Sequence, residues 1–158
     1  YNKIMKILIC GLPGSGKTWL AERLIQKIDN CAWFNADLVR KAANDWDFEM
    51  EGRIRQAMRM RTYADFEKDH GRTVICDFVA PTEETRRQFD PDYTIWLDTI
   101  ARGRFEDTNK MFEIPAMVDK KIDHFLPDSD IFAIASELNI IKKGKLNGLE
   151  KTNSTNAG

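Results

Sequence analysis

Three features are missing from this chain of 158 residues. No apolar run approaches the roughly 20 residues that a membrane-spanning helix needs, and the first residues lack the cationic and apolar regions of a signal peptide. Neither sign of charge is in excess, because 24 Lys and Arg residues are balanced by 25 Asp and Glu residues. We therefore expect a soluble protein without a membrane partner, and nucleic acid is not expected as a partner either.

Cysteines are few as well, and their number is odd. The three cysteines, Cys10, Cys31 and Cys76, lie in apolar runs and lack the spacing of metal ligands, a pattern that indicates reduced, buried thiols and a cytoplasmic protein. The apolar content of 42% suffices for one domain, which we place at residues 1–143. Residues 144–158 are polar and lack periodicity, so we expect a mobile tail there. The sequence leaves a homodimer open.

Short apolar runs alternate with segments of helical periodicity along the domain. Strands are predicted within residues 6–12, 31–37, 73–81, 93–99 and 121–126, and helices within residues 18–28, 53–71, 82–89 and 129–144. Strands that alternate with helices form parallel sheets whose two faces are both covered by helices. The pattern therefore predicts an α/β fold of three layers around a five-stranded parallel sheet.

A glycine-rich loop lies between the first predicted strand and the first predicted helix. Its sequence is GLPGSGKT, a Walker A motif, in which glycines let successive backbone N–H groups point at phosphate oxygens. Lys17 is expected to contact the β- and γ-phosphates of ATP, and Thr18 to hold Mg²⁺. A plain glycine-rich turn is the alternative. The loop predicts a P-loop NTPase fold that binds ATP and magnesium. The predicted phosphate-binding residues are Gly11, Leu12, Pro13, Gly14, Ser15, Gly16, Lys17 and Thr18.

A second motif ends the third predicted strand. The run TVICD at residues 73–77 is apolar up to Asp77, which is the pattern of a Walker B motif on a strand next to the first. In that motif the carboxylate holds magnesium through a water molecule. The alternative is that Asp77 makes a local turn or cap hydrogen bond.

The motifs of residues 5–117 resemble, in their order, those of adenylylsulfate kinases. The segments that carry the resemblance are GLPGSGKT, FNADLVR, NDWDFEMEGRIRQAMR, FVAP with Arg86 and Arg87 behind it, and FEDTNKMFEIP. Those enzymes transfer the γ-phosphate of ATP to the 3′-hydroxyl of adenylyl sulfate. The resemblance implies that reaction here, with adenylyl sulfate or a similar small molecule as the substrate.

Residues 35–40 are similar to the family's D-G-D-N-x-R, with Asn35 and Asp37 at its acidic positions and Arg40 at its arginine. The resemblance implies that these three residues contact the substrate. Physical chemistry gives Asp37 a compatible role, because a carboxylate at the end of the strand beside the phosphate loop can accept the proton of a substrate hydroxyl. Since Asn35 replaces an aspartate and Asp77 adds a carboxylate, the sequence leaves open whether Asp37 or Asp77 is the base.

Residues 47–56 are similar to the family's G-F-S-x-x-D-R-x-x-N. By this resemblance, Phe48 stacks on the substrate adenine, while Arg53 and Gln56 hold its phosphosulfate and ribose. An exposed aromatic ring and a nearby arginine can by themselves sandwich a base and clamp an anion. Two alternatives stay open: Phe48 lies in the core, or Arg53 lies on the solvated side of a long helix.

Residues 101–117 are charged, mixed in pattern and poor in apolar residues that could hold them down. We predict that they form a lid, which closes over a phosphoryl transfer and excludes water. The family's R-D-x-K-G-L-Y is similar to residues 106–112, but its arginine is absent there. Arg104 is our first candidate to replace it as a catalytic residue, and Arg102 is the second. The alternative is that Arg104 is a solvated lid arginine.

Two other functions fit the same phosphate site. One is a P-loop kinase for a different hydroxyl acceptor, such as a nucleoside, a sugar acid or a polynucleotide end. The other is a nucleotide-binding switch module that hydrolyses ATP slowly without an acceptor. A switch has no use for an acceptor pocket, whereas Asp37, Arg40, Phe48 and Arg53 supply the parts of one. A small-molecule kinase, with Lys17, Asp37 and Arg104 as catalytic residues, is therefore our prediction.

Overall fold

The computed structural model describes residues 4–144 of the chain. Beyond Gly144, the tail predicted at residues 144–158 lies outside the described residues. Within the described range, no helix combines the length and the hydropathy that crossing a membrane requires. In chain order, the elements are β1 (Lys6–Cys10), α1 (Lys17–Leu24), β2 (Cys31–Asn35), α2 (Ala36–Ala43), α3 (Met50–Asp69), β3 (Thr73–Asp77), α4 (Glu83–Phe89), β4 (Tyr93–Leu97), α5 (Glu106–Met111), β5 (Lys120–Ile122), a 3-10 turn (Asp128–Asp130) and α6 (Ile131–Gly144).

The sheet confirms the prediction of five parallel strands. Their order is β2-β3-β1-β4-β5, and each neighbouring pair runs parallel. The strand that ends at Asp77 therefore lies next to β1, as predicted. The expectation that Asp37 follows the strand beside the phosphate loop is wrong, because β2 lies one place further out. The reason is the crossover through α2 and α3, which returns the chain to a position where β3 pairs with both β1 and β2.

Apolar side chains cover both faces of the sheet. Along β1, Ile7 and Ile9 point to one face, while Leu8 and Cys10 point to the other. The first face packs against α1 and α6, and the second against α2, α3 and α4. These two buried clusters give the three layers that the sequence predicted. The helix residues buried in them include Leu20, Leu24, Ile131, Ile134 and Leu138 on the first face, and Val39, Ala57, Met60, Ala64 and Phe89 on the second.

The three thiols differ in burial. Cys10 and Cys76 are buried, as predicted, whereas Cys31 at the start of the edge strand β2 is only partly buried. No disulfide joins the three, all of which lie within residues 4–144. The two buried thiols belong to the core on the α3 side of the sheet.

Several elements have other bounds than predicted. β2 ends at Asn35, because the side-chain oxygen of Asn35 accepts the N–H of Leu38 at 3.1 Å and caps α2. Asp37 consequently lies in the first turn of α2 and not on a strand. The long helix α3 begins at Met50, ahead of the predicted residue 53, so that residues 44–49 form a short connection between two helices.

The carboxyl ends of the strands lie at one edge of the sheet, because the strands are parallel. The loop after β1, Asn35 at the end of β2 and Asp77 at the end of β3 therefore meet at this edge. Ligands of open α/β sheets bind outside these strand ends. This edge is the candidate site.

Candidate active site

The loop between β1 and α1 has the backbone of a phosphate cradle. Gly14 and Gly16 have φ angles of 90° and 100°, a left-handed conformation that residues with a side chain rarely adopt. At Gly11 a Cβ atom would lie 2.7 Å from the carbonyl oxygen of Leu97, so the loop requires glycine there. Gly16 is the N-cap of α1, and no side chain caps this helix. The first N–H groups of α1 are therefore left to bind an anion.

Ser15 lies inside this cradle. The hydroxyl of Thr99, just after β4, donates to the Ser15 carbonyl at 2.7 Å and fastens the loop to the sheet. The Ser15 hydroxyl is buried and, among the described residues, has no hydrogen-bond partner. A buried hydroxyl without a partner is unfavourable, so it marks a place where a ligand oxygen would complete the hydrogen bonding.

Lys17 follows the cradle at the first position of α1. Its ammonium group donates to the carbonyl of Leu12 at 3.0 Å and so lies back over the loop. Because the protein shields this group from water, its pKa is lowered to about 8, although the charges of Asp77 and Asp37 act in the opposite direction. The charge of Arg104 lowers the pKa further. The three charged groups predicted around the phosphates thus all lie close enough to act on Lys17.

Thr18, Asn35 and Asp77 form a hydrogen-bonded group next to Lys17. The Thr18 hydroxyl donates to Asp77 Oδ2 at 3.0 Å, and the Asn35 amide donates to Thr18 Oγ1 at 3.1 Å and to Asp77 Oδ2 at 3.2 Å. The Trp33 indole donates to Asp77 Oδ1 at 2.6 Å. Thr18 and Trp33 are 59 and 44 residues away from Asp77 in sequence. The alternative that Asp77 makes a local turn or cap bond is therefore wrong.

The oxygens of Thr18 and Asp77 form a candidate metal site. They are hard ligands of the kind that Mg²⁺ prefers. Burial raises the pKa of the Asp77 carboxyl, while hydrogen bonds from Trp33 and Thr18 oppose this shift, and a bound cation would favour the ionised form still more. Nowhere in residues 4–144 do three or more His, Cys, Asp or Glu side chains cluster as a metal cage. A magnesium ion here would therefore take its other ligands from phosphates and water.

Asp37 differs from Asp77 in its surroundings. It is exposed in the first turn of α2, at the same edge of the sheet, and its charge acts on both Lys17 and Arg40. Asp77 is buried, and both of its oxygens accept hydrogen bonds. Asp37 is the carboxylate of the two that a hydroxyl arriving from solvent can reach.

Phe48 lies in the connection between α2 and α3. Its side chain is 47% exposed, so the alternative that it belongs to the core is wrong. The guanidinium carbons of Arg40 and Arg53 lie 4.4 Å and 5.2 Å from the centre of its ring. Both arginines are buried, so the alternative that Arg53 lies on a solvated helix side is also wrong. The ring therefore lies against two guanidinium groups, and about half of its surface stays exposed.

Arg40, Arg53 and Gln56 use their polar groups within the protein. Arg40 donates to the carbonyls of Asp45 at 2.8 Å and Asp47 at 3.2 Å. Arg53 Nε donates to the Phe48 carbonyl at 3.1 Å. The Gln56 amide donates to the carbonyl of residue 36 at 3.1 Å. The resemblance assigned these three residues to the substrate, but Arg40 and Arg53 hold the connection that carries Phe48, and Gln56 holds the start of α2.

The predicted lid is held by more contacts than its composition suggested. Arg53 Nη2 donates to the buried Thr108 hydroxyl of α5 at 2.7 Å. The buried Arg86 of α4 donates to the Glu113 carbonyl at 2.7 Å. The segment is poor in apolar residues, as noted from the sequence, but hydrogen bonds from α3 and α4 hold it, and Phe112 packs against the core. Arg104 is exposed near the start of this segment, with its guanidinium carbon 5.0 Å from the centre of the neighbouring Phe105 ring.

A cavity of about 300 Å³ opens on the β4 and β5 side of the phosphate loop. Its walls include Gly16, Trp19, Thr99, His124 and Phe125. Most of this lining is apolar, and it adjoins the cradle directly at Gly16. The cavity was not predicted from the sequence, because Phe125 comes from the far end of the chain and its exposure in a loop follows only from the tertiary fold.

The sequence profile of the adenylylsulphate kinase family matches residues 3–94. The chain belongs to this family. The match contains the phosphate loop and the Phe48 region and ends before the predicted lid. Membership of this kinase family implies that the chain is a P-loop phosphotransferase that binds ATP.

Individual relatives of this adenylylsulphate kinase family member differ in what they act on. A cytidine diphosphoramidate kinase of Campylobacter jejuni is 28% identical over 126 residues, covering 75% of this chain and 74% of that protein. A probable adenylyl-sulfate kinase of Aeropyrum pernix is 32% identical over 90 residues, covering 54% of this chain and 49% of that protein. The solved APS kinase CysC of Mycobacterium tuberculosis, in complex with AMPPNP and APS, has the same fold, with a TM-score of 0.68 and 20% identity over 87% of this chain and 96% of that one.

Proposed function

We propose that the protein transfers the γ-phosphate of ATP to a hydroxyl group of a nucleotide, and that this acceptor is adenylyl sulfate, phosphorylated on its 3′-hydroxyl. The observation that carries the proposal is the proximity of Lys17, the Thr18–Asp77 oxygen pair and the exposed Asp37 at one edge of the sheet. Phosphoryl transfer needs a cradle for the phosphates, a site for the metal ion and a group that orients the nucleophile.

The phosphate loop would bind the triphosphate. The backbone N–H groups of the loop around Gly14 and Gly16, those at the start of α1 and the Lys17 ammonium would stabilise the charge that develops on the transferring phosphoryl group. Thr18 and Asp77 would hold Mg²⁺, which would neutralise phosphate charge during the transfer. The cavity beside Gly16 is large enough for part of the base of ATP and has the apolar walls that such a ring prefers.

Asp37 would act as the general base. The attacking hydroxyl oxygen forms a bond to the γ-phosphorus, its proton passes to the Asp37 carboxylate, and the bond to the β-phosphate oxygen breaks so that ADP leaves with the electron pair. Arg104 would approach the phosphates from the lid. Its charge already acts on Lys17, which supports a position near the triphosphate.

The acceptor would bind between Asp37 and Phe48. The exposed Phe48 ring would stack on its base, with Arg40 and Arg53 beneath the ring. Asn35, Arg40, Arg53 and Gln56 would then support the acceptor site mainly by holding its walls, because their polar groups already have partners within the protein.

Cytidine diphosphoramidate is the second candidate acceptor, on a specific observation. The similarity to the Campylobacter cytidine diphosphoramidate kinase extends over 126 residues and 74% of that protein, whereas the similarity to the Aeropyrum protein covers 49% of it. A ring stacked on Phe48 does not by itself distinguish a cytosine from an adenine, because every base has a π-face. The two acceptors share a nucleoside with a small group at the end of its phosphate chain.

A competition between the two acceptors tests the proposal. The protein is given ATP and magnesium with adenylyl sulfate or with cytidine diphosphoramidate, and phosphorus NMR identifies the hydroxyl that is phosphorylated. We expect kcat/KM for adenylyl sulfate to exceed that for cytidine diphosphoramidate by about tenfold or more. The opposite order would replace the first acceptor by the second. Phe48→Ala should weaken use of the preferred acceptor, whereas Phe66→Ala, at an exposed ring further along α3, should not.

A further inference from the structure

The connection between α2 and α3, residues 44–49, contains a group of charged side chains that the proposed reaction does not use. Asp45 is at its centre. The Asp45 carboxylate accepts hydrogen bonds from Arg55 Nε at 2.7 Å, from Arg55 Nη2 at 3.0 Å and from Arg59 Nη2 at 2.7 Å. The Asp45 side chain is 13% exposed. Since Arg55 and Arg59 lie one turn apart on α3, Asp45 ties the connection to this helix.

Arg40 holds the same connection from its inner side. It donates to the carbonyl groups of Asp45 and Asp47, and the Asp45 N–H in turn donates to the Arg40 carbonyl at 3.1 Å. The guanidinium group that makes these bonds also lies against the Phe48 ring. The position of the ring therefore depends on the position of the connection.

The connection also packs directly on the backbone of α3. At Gly52, a Cβ atom would lie 2.5 Å from Asp47 Cγ and 2.1 Å from the Asp47 carbonyl oxygen. In the family pattern G-F-S-x-x-D-R-x-x-N, Asp47 stands at the glycine and Gly52 at the aspartate. The two departures fit each other, because Asp47 fills the space that a side chain at position 52 would need.

We propose that Asp45 is a positioning residue for the acceptor: by holding residues 44–49 against α3, it fixes the Phe48 ring in the orientation that receives the base of the acceptor nucleotide. This inference rests on the proposed function, in which Phe48 stacks on that base. Asp45 acts through Phe48 and needs no contact with the acceptor. Because Phe48 is already fixed in the free protein, it loses little conformational entropy when the acceptor binds. This pre-organisation lowers KM for the acceptor.

The hydrogen bonds between the connection and α3 require a charged Asp45. The two hydrogen bonds from Arg55, followed by the one from Arg59, hold the pKa of Asp45 well below its usual range. The carboxylate is therefore ionised at neutral pH, where both arginines are cationic. Neutralising Asp45 without changing its shape is the cleanest way to loosen the connection.

Asp45→Asn tests the inference, with the acceptor that the competition experiment identifies. We expect KM for that acceptor to rise about tenfold while KM for ATP changes by less than about twofold. Asp45→Glu keeps the charge and should recover part of the loss. Asp69→Asn is the matched control, because it neutralises an exposed carboxylate at the end of the same helix and should change neither KM.

A double-mutant cycle distinguishes positioning of Phe48 from a general loss of structure. In a Phe48→Ala background, Asp45→Asn should raise KM for the acceptor by less than about a further twofold. A further rise of about tenfold in that background, or an unchanged KM in the folded single variant Asp45→Asn, would overturn the inference. If Phe48→Ala alone leaves KM unchanged, the acceptor does not stack there, and the proposed acceptor site fails together with the inference.

Gly52→Ala is the second variant, for the case that Asp45→Asn does not fold. The added methyl group displaces Asp47 and so disturbs the connection from its other side. It should give the same selective rise in KM for the acceptor. A folded Gly52→Ala protein with the KM of the wild type for the acceptor would overturn the inference.

Discussion

On the phosphate side of the site, backbone conformation and strand pairing set the geometry, whereas on the acceptor side long side chains set it. The first side consists of a loop with left-handed glycines and of Asp77 on the strand paired with β1. The second side is the connection of residues 44–49, which Arg40 and Asp45 fasten through side-chain hydrogen bonds. A few substitutions can change the acceptor side, because side chains form it. The phosphate loop is harder to alter, because its backbone conformation forms the binding site. We infer that the phosphate side determines the class of reaction and the acceptor side the identity of the acceptor.

The largest expected effect comes from breaking the phosphate side. Lys17→Ala should reduce phosphoryl transfer by more than about 10⁴-fold, because the ammonium group stabilises charge on the transferring phosphate. The fold should survive, since the group packs over a loop and not in the core. Turnover and circular dichroism are compared with those of Lys27→Ala, a change at an exposed lysine just after α1. Activity of Lys17→Ala within tenfold of the wild type would contradict the kinase mechanism.

The next largest effect is expected where the two sides meet. Asp37→Asn should lower turnover by about 10² to 10⁴, the usual range for a positioned general base, with little change in ATP binding. Asp77→Asn should instead weaken the magnesium complex, so that its defect shrinks as the metal concentration rises. Asp29→Asn, at an exposed carboxylate before β2, is the control. Should Asp77→Asn prove more damaging at saturating metal, the roles of the two carboxylates are exchanged.

The pH profile probes the phosphate side without disturbing the acceptor side. The pKa of Lys17 is about 8 in the free protein, so above that pH the group loses its proton and its attraction for phosphate. We expect kcat/KM for ATP to fall about tenfold per pH unit above this value. Bound triphosphate favours the charged form, so the fall in kcat should begin at higher pH.

Lys17→Arg provides the control for this pH profile, because arginine keeps its charge throughout the range. In this variant the fall of kcat/KM near pH 8 should be absent, whatever the remaining rate. A fall that persists with the same midpoint belongs to another group and removes Lys17 as its cause.

The smallest expected effect concerns the lid. Arg104→Ala should lower turnover by about fivefold, since an exposed guanidinium contributes little until closure removes water from around it. Arg102, the second candidate for this role, is exposed and already paired with Glu106, so Arg102→Ala should lower turnover less than Arg104→Ala does. Single-turnover rates at saturating ATP and acceptor measure the difference. Equal rates for wild type and Arg104→Ala would remove the role of this arginine.

The two sides also differ in how far the sequence could predict them. The five parallel strands, the helices between them up to β4 and the adjacency of Asp77 to the phosphate loop follow from local patterns, and the structure confirms them, whereas the short helix α5 was not predicted. The position of Asp37 was predicted less well. Its strand ends earlier because the Asn35 side chain caps α2, a competition between strand and helix that the apolar pattern does not reveal.

The hydrogen bonds that hold the acceptor side could not be predicted from the sequence, for a physical reason. The Arg53–Thr108 hydrogen bond joins residues 55 positions apart, and the Arg59–Asp45 hydrogen bond joins residues 14 positions apart. No periodicity or spacing encodes such pairs. A row of arginines along α3 looks solvated in sequence, but Arg53 is buried and Arg59 holds Asp45. The sequence did contain one indication of these contacts. Asp45 and Asp47 precede three arginines within residues 45–59, so acidic and basic side chains are available to pair.

The most direct test of the account is the release of ADP with and without an acceptor. We predict that saturating adenylyl sulfate, or cytidine diphosphoramidate if that is the preferred acceptor, raises ADP release by about 100-fold or more over slow hydrolysis, because the acceptor hydroxyl replaces water as the nucleophile in a closed site. ADP release that neither nucleotide stimulates would contradict the account and would favour a module that hydrolyses ATP without an acceptor.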